Sequence, residues 1–140
     1  MTGRERFASA RVARLATTGP DGPHVVPVVF ALDGDTLYHA VDHKPKRTTA
    51  LKRLANLRAD PRASLLADRY DEDWSLLWWA RADGTARILE PGHEPAIALL
   101  SERYPQYRDR PPEGPVVAID VTRWSDWTAA APPPGGRAGS

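Results

Sequence analysis

Cysteine is absent from this chain, which excludes disulfides and thiolate chemistry and leaves only His and carboxylate ligands for a zinc ion. No stretch approaches about 18 uncharged apolar residues, so no membrane-spanning helix is expected. The formal net charge of +1 over 140 residues excludes a globally basic nucleic-acid coat. The N-terminal sequence MTGRERFASAR has no apolar core of a signal peptide, and we therefore expect a cytoplasmic protein without a membrane partner.

What the chain does contain is a succession of short strand patterns. Gly-Pro-Asp-Gly-Pro at 19–23 and Asp33-Gly34-Asp35 are turn sequences between β-rich runs, so two hairpins are predicted before residue 42. Three later runs are predicted as strands: RASLLADRY, WSLLWWARADGTARIL with a break or bulge near Asp83-Gly84, and GPVVAIDVTRWSDWTA.

Helical patterns are fewer. A short helix is predicted within residues 2–10 and an amphipathic helix within 91–104. Between them, Leu51, Leu54, Ala55 and Leu57 recur at helical spacing, and Asp60-Pro61 ends that helix. Strands outnumber helices and hairpins dominate the connections, which favours a small, mostly antiparallel barrel.

The chain predicts one domain over residues 1–128. Residues 129–140 include APPPGGRAGS, which has no large apolar side chain to hold it down, and this tail is predicted to be disordered. Five tryptophans in so short a chain, three of them within 74–79, favour a partner surface and hence a homodimer.

Positive charge is concentrated in DHKPKRTTALKRLANLRADPR, residues 42–62, which holds every lysine of the chain. Lys44, Lys46 and Arg47 follow a strand, and Thr48 and Thr49 stand where a helix N-cap belongs. A helix N-terminus with cations beside it attracts phosphate, and arginine can hold a phosphate through two hydrogen bonds. This segment therefore predicts a phosphate site.

Other interpretations of the same charges stay open. Lys52, Arg53 and Arg58 lie at helical intervals and are more typical of a solvated helix face than of a ligand site. Nucleic acid is not expected as a partner, because no basic strand interleaved with aromatic residues accompanies the cluster. His39 and His43 do not share a face, so no metal site is predicted.

The motifs LATTGPDGPHVVPV, DHKPKR, NLRADPR and DRYDEDWS follow one another in this order along the chain. Together they resemble the pyridoxamine-phosphate-oxidase-like split β-barrel superfamily, and within it the branch that uses the deazaflavin coenzyme F420. The resemblance covers roughly residues 5–128. It implies a mainly β (α+β) fold: a six-stranded antiparallel split β-barrel with two to three flanking helices. It also implies a homodimer with two cofactor sites at the interface.

The resemblance also implies where the cofactor lies. Val26, Pro27 and Val28 would lie against its ring, and Val41 to Arg47 would lead to its phosphate. Trp74-Ser75 and the C-terminal aromatic residues Trp124 and Trp127 would approach the cofactor, the former often from the second subunit. The cofactor-binding residues predicted in this way are Val26, Pro27, Val28, Val41, Asp42, Lys44, Lys46, Arg47, Thr48, Trp74, Ser75 and Trp127.

Three functions remain in view. The first is an F420-dependent oxidoreductase that passes a hydride to an unsaturated or quinone-like small molecule. The second is an FMN-dependent oxidoreductase of the same fold; FMN has no acidic tail, so the additional cations Lys52 and Arg53 favour F420. The third is a carrier that binds the cofactor without turnover. No catalytic residue is assigned, because in hydride transfer the cofactor supplies the reactive atom.

Overall fold

A computed structural model describes residues 1–41 and 47–129, with residues 47–51 described through their backbone. Seven strands, four α-helices and one 3-10 turn occur in these ranges. In chain order they are α1 (Gly3–Ser9), β1 (Ala13–Gly19), β2 (Gly22–Val28), β3 (Ala31–Asp33), β4 (Thr36–Ala40), α2 (Arg47–Ala59), β5 (Arg62–Arg69), the 3-10 turn (Trp74–Leu76), β6 (Trp78–Leu89), α3 (Glu94–Arg103), α4 (Pro105–Asp109) and β7 (Val116–Thr128).

All seven strands form one antiparallel sheet in the order β2-β1-β5-β6-β7-β4-β3, and β2 and β3 are its two edges in the described part of the chain. The mostly β, antiparallel class is confirmed. The predicted six strands and two to three helices differ from the observed numbers in two places. The brief β3 counts as a strand of its own, and Pro105, which lacks a backbone N–H, ends α3 and begins α4.

Both predicted hairpins are present. In the first, Gly19 pairs with Gly22 around the two-residue turn Pro20-Asp21, and Gly22 has a positive φ of 101°. In the second, Asp33 pairs with Thr36, and Gly34 in the turn has a φ of 61°. Glycine adopts these positive φ values without the steric cost that a side chain would add.

The long strands β6 and β7 pair along their whole length, with one irregularity. Asp83 pairs with Arg123 and Gly84 with Val121, so Thr122 is the additional residue of a β-bulge. The break was predicted near Asp83-Gly84 on β6. The shift in strand pairing does occur between these two residues, but the additional residue lies on β7. The backbone of Asp120 approaches Gly84 so closely that a Cβ at position 84 would clash.

The main core lies between the inner face of the sheet and two helices. Alternate residues of the strands point inward, including the fully buried Leu15, Leu65 and Ile119. Phe7 of α1 closes one side and contacts the Phe30 ring at a centroid distance of 4.9 Å. Helix α2 contributes Leu54 and Leu57, two of the positions whose spacing predicted that helix.

Helix α2 is also held by a buried polar contact. Asn56, with 3% of its surface exposed, donates its side-chain N–H to the Thr17 hydroxyl on β1 at 3.2 Å. Gly19 lies against the Asn56 amide, where any Cβ would overlap it. The hydrogen bond and the missing side chain together fix α2 against the β1–β2 hairpin.

The outer side of β3 and β4 is covered by α3, whose Ala96 and Leu100 are fully buried. At its end, the Tyr104 hydroxyl lies 2.8 Å from the Phe30 carbonyl oxygen and 2.9 Å from that of Arg11, and it accepts the Phe30 N–H at 3.1 Å. Arg103 beside it donates to the carbonyl oxygens of Ala8 and Ala10. These bonds tie the chain after α1 to the β2–β3 connection and to α3.

No helix in the described ranges is long and apolar enough to cross a membrane. The predicted disordered tail at 129–140 falls outside the described residues except for Ala129, whose N–H donates to the Leu77 carbonyl oxygen at 3.0 Å. The division at residue 128 therefore stays a prediction.

Replacement of Tyr104 by Phe should lower the free energy of unfolding by about 1 to 3 kcal/mol, because the buried Phe30 N–H and carbonyl lose their partner. Urea denaturation of the purified chain measures this loss. Tyr70→Phe is the matched control: its side chain is 66% exposed, so the change there should stay within about 0.5 kcal/mol. Equal losses in the two variants would contradict a structural role for the Tyr104 hydroxyl.

Candidate functional site

The predicted phosphate segment lies between two fixed points. Before it, the buried Val41 donates its N–H to the Pro115 carbonyl oxygen at 2.9 Å. After it, α2 begins at Arg47 and is held by the Asn56–Thr17 contact described above. Asp42, Lys44 and Lys46, three of the predicted site residues, lie outside the described residues. The chain on both sides of them is anchored to the barrel.

Helix α2 starts one residue earlier than the cap that was predicted. Its backbone is helical from Arg47, so Thr48 and Thr49 are its second and third residues and not its N-cap. The first turn of the helix, from Arg47 onwards, contains no acidic residue that would offset the positive end of the helix dipole. The start of a 13-residue helix therefore adds to the charge of the adjacent lysines, as an anion site requires.

The two cations that favoured F420 over FMN have different surroundings. The Lys52 ammonium lies 3.4 Å from a carboxylate oxygen of Asp21 in the β1–β2 turn; the Lys52 side chain is partly exposed and that of Asp21 largely exposed. Arg53 turns inward, and its Nη1 contacts Nε2 of His39 on β4. The expectation that Lys52, Arg53 and Arg58 share one solvated face is therefore wrong for Arg53, because its guanidinium reaches the barrel interior.

His39 is one of the few buried polar side chains, with 4% of its surface exposed. Its Nδ1 lies 3.4 Å from the Val29 carbonyl oxygen, so a neutral ring can donate from Nδ1 and accept the Arg53 N–H at Nε2. Burial, and secondly the positive charge of Arg53, lower the pKa of His39 to about 3, against the weaker opposing effect of the Val29 carbonyl. The ring is therefore neutral at physiological pH.

The predicted ring-binding strand is β2, at the edge of the sheet, where a proline without an N–H is tolerated. Successive residues of a strand face opposite sides, and Val28 is buried in the core while Pro27 is exposed on the outer face. Val26 packs against the core as Val28 does. The three side chains therefore cannot all lie against one ring, and only the outer face is open to a ligand within this chain.

Trp74 and Ser75 were predicted to begin the strand WSLLWWARADGTARIL, but they form the 3-10 turn that precedes β6. Asp73 explains the difference, because its carboxylate accepts the Ser75 N–H at 3.0 Å and the Ser75 hydroxyl at 2.7 Å, and these bonds lower the pKa of Asp73. Trp74 is 68% exposed on this turn. A large aromatic side chain is thus held at the surface by local hydrogen bonds.

The side chains of Trp124 and Trp127 lie on opposite faces of β7. The Trp124 ring packs on Phe7 at 5.6 Å and donates from Nε1 to Asp35 at 3.0 Å, so it is a structural residue. Trp127 lies on the outer face opposite Trp79 of β6 and lines a groove there. The structure therefore supports exposure to a ligand for Trp127 only.

The sequence did not single out the outer face of the sheet. Val25, with 61% of its surface exposed, Leu66 with 38%, and Trp79 and Arg81 all project there from neighbouring strands. In the sequence, the alternation of inward and outward side chains along each strand indicated that these residues face outward. Alternation does not reveal which strands become neighbours, so it could not show that these residues meet on one face. On this face, exposed apolar side chains lie beside cations.

Metal binding finds no support in the same ranges. Across residues 1–41 and 47–129, no three or more His, Asp or Glu side chains are grouped so as to hold a metal ion.

Comparison with solved structures places this open antiparallel sheet among the split barrels. A conserved hypothetical protein from Mycobacterium tuberculosis is 26% identical, with 92% of this chain and 86% of that chain covered and a TM-score of 0.70. A FAD-binding protein from Mesorhizobium loti is 21% identical over 88% and 89% of the two chains, with a TM-score of 0.65. HutZ, the heme storage protein from Vibrio cholerae, is 16% identical over 89% and 90%, with a TM-score of 0.66.

The last two similarities are similarities of fold. The sequence itself goes further, because residues 3–128 match the family described as pyridoxamine 5'-phosphate oxidase. The chain belongs to that family, and the resemblance of its motifs to the pyridoxamine-phosphate-oxidase-like superfamily is confirmed.

The buried His39 predicts a pH dependence of stability. Its pKa is about 3 in the folded chain and about 6.5 when unfolded, so below pH 6.5 only the unfolded chain gains the proton. Stability is complete above pH 6.5 and falls as the pH decreases towards 3, by up to about 1.4 kcal/mol per pH unit from this group. Urea denaturation between pH 7 and 4 should show a steeper loss for the wild type than for His39→Gln. Parallel curves would contradict a neutral, buried His39.

Proposed function

We propose that this protein is an oxidoreductase that uses the deazaflavin F420 and passes a hydride from its reduced form to an unsaturated or quinone-like small molecule. FMN is the alternative cofactor of the same fold. The observation that carries the proposal is the start of α2: a helix N-terminus without acidic residues, directly after Lys44 and Lys46, between two anchored chain segments. Family membership agrees with a phosphate-bearing cofactor at this point.

The residues at this position fit the chemistry of such a group. Lys46 and Arg47 supply cations and Thr48 a hydroxyl, the donor types that hold a phosphate ester, with Lys44 nearby. The bound cofactor supplies the hydride chemistry itself. The chain is left with the tasks of binding the phosphate, orienting the ring and limiting water around it. We assign no catalytic residue.

Lys52 carries the preference for F420 over FMN. Its ion pair with Asp21 is exposed on both sides, and such pairs contribute little free energy, so the ammonium can turn to the acidic tail of F420. Arg53 does not add to this preference because it contacts the buried His39. The electrostatic argument for F420 is therefore weaker than the sequence implied, and it rests on one side chain.

Replacing both Lys46 and Arg47 by Ala should weaken binding of F420 and of FMN by a few kcal/mol, because charge-assisted bonds to phosphate are lost. Replacing Lys52 alone should weaken F420 and spare FMN. Fluorescence titration of the purified protein with each cofactor measures both effects. Arg58→Ala, at the exposed end of the same helix, is the control and should bind like the wild type.

Two results would count against these assignments. Unchanged affinity in the double variant would remove the phosphate site from this segment. Equal weakening of both cofactors by Lys52→Ala would remove the preference for F420 and leave FMN as the better candidate.

A carrier without turnover is the second candidate function. Proteins of this fold include a FAD-binding protein and a heme storage protein, so binding alone is compatible with the architecture. Rapid mixing of the cofactor-loaded protein with menadione, a simple naphthoquinone, distinguishes the two functions. Reoxidation of the reduced cofactor faster than in free solution supports the enzyme, and an unchanged rate supports the carrier.

We also propose that the active form is a homodimer whose two cofactor sites lie at the interface. Val25 on β2 and Leu66 on β5 project from the same outer face, with β1 between their strands. Exposed apolar side chains grouped on one face are typical of a surface that another protein covers. A second copy of this chain would cover them and would form a roof over the neighbouring groove that Trp127 lines. This arrangement also gives Trp74 and Ser75 a role, since an exposed turn can reach a neighbouring subunit.

The double variant Val25→Glu and Leu66→Glu should be monomeric in analytical ultracentrifugation at concentrations where the wild type is a dimer, because four carboxylates would be buried across the interface. Gln106→Glu, an exposed position on α4, adds charge away from this face and should leave the dimer intact. A monomeric wild type, or a dimeric double variant with native circular dichroism, would contradict the proposed interface.

A further inference from the structure

A second feature of the outer face has no part in the phosphate site. It is a groove of about 340 Å³ at the end of the sheet where β5, β6 and β7 lie side by side, within the size range of small-molecule pockets. The residues that define it are Leu66, Tyr70, Leu77, Trp79, Arg81 and Trp127. We name it the aromatic groove.

The floor of the aromatic groove is built by cross-strand pairing. Trp79 of β6 lies directly opposite Trp127 of β7, and Leu66 of β5 lies directly opposite Arg81 of β6. Side chains of directly paired residues project from the same face with Cβ atoms about 5 Å apart. Two indole rings and one aliphatic side chain therefore form a continuous apolar surface, which is what a flat ring system needs for stacking.

One wall of the groove is the chain between β5 and β6, which runs from Tyr70 to Leu77. Its shape is set by hydrogen bonds: Asp71 accepts the Asp73 N–H at 2.8 Å, and Asp73 in turn caps the 3-10 turn through Ser75. Leu77 at its end accepts the Ala129 N–H at 3.0 Å. The wall is thus formed before any ligand arrives, and little conformational entropy is lost on binding.

The charges around the groove favour a negative ligand. Arg81 lies over the Trp79 ring, with its guanidinium carbon 5.8 Å from the ring centroid. Its ion pair with Asp83 and that of Arg69 with Asp71 are each 3.2 Å long and partly exposed, so either guanidinium can turn to a ligand at small cost. The groove lining contains one acidic side chain, Asp68. Its carboxylate forms an ion pair of 2.8 Å with Arg14, which lies outside the lining, and this pair offsets its negative charge.

We propose that the aromatic groove binds a planar aromatic carboxylate, with the ring against Trp79 and Trp127 and the carboxylate on Arg81. This assignment names the chemical class of the substrate and in that respect rests on the proposed function. The binding itself needs no cofactor, so it is tested in the absence of one.

The probe is 2-naphthoate, titrated by calorimetry into the full chain without cofactor, with 2-naphthalenemethanol as the uncharged analogue of the same ring. Naphthoate should bind at least about tenfold more tightly than the alcohol, because only the carboxylate can accept a charge-assisted hydrogen bond from Arg81. Arg81→Gln should abolish that difference and leave the alcohol unaffected. Trp127→Leu should weaken both ligands.

Arg123→Gln is the matched control, because Arg123 is exposed on the same face of β7 but is not part of the groove lining. If Trp127→Leu loses its native circular dichroism, Trp79→Leu replaces it. Absence of naphthoate binding at millimolar concentration, equal affinity for the alcohol, or equal loss in Arg123→Gln would overturn the proposal. If naphthoate binds while neither F420 nor FMN does, the proposed function is refuted, and the assignment of the aromatic groove as a carboxylate site is supported.

Discussion

The arrangement of every other element depends on the pairing of β6 with β7. These strands of 12 and 13 residues pair along their length, and each carries one half of the remaining sheet: β5, β1 and β2 on the side of β6, β4 and β3 on the side of β7. The bulge at Thr122 and the close approach of Asp120 to Gly84 add local twist where the sheet must curve around its core. A side chain at position 84 would disturb both halves at once.

The curved sheet has an inner and an outer surface, and these two surfaces carry different functional residues. Helix α2 belongs to the inner side, where Leu54 and Leu57 enter the core and Arg53 contacts His39. Trp79, Trp127 and the exposed apolar residues belong to the outer side. A cofactor with its charged tail near α2 and its flat ring on the outer side has to cross an edge of the sheet. At the edge strand β2 the inner and outer surfaces of the sheet meet. The proposed second subunit would complete the ring site from outside.

The elements were largely predictable from local pattern, because hairpin turns, helical spacing and the Asp60-Pro61 helix end are encoded by neighbouring residues. The strand order was not, since alternation shows that a face is buried without naming its partner. The same limit affects the site. The resemblance placed Val26, Pro27 and Val28 together, while the pleat separates them. Arg53 looked like a surface cation, and only the tertiary contact with His39 shows that its guanidinium turns inward.

The strand order has a consequence for synthesis on the ribosome. The first four strands to emerge are two hairpins that end up at opposite edges of the sheet and never pair with each other. The partners of these hairpins are translated later: β1 pairs with β5, and β4 pairs with β7, the last strand of the described residues. The nascent chain therefore carries unpaired strand edges until β7 has been translated, a state in which such edges aggregate. Binding by chaperones during translation would be most useful before β7 emerges.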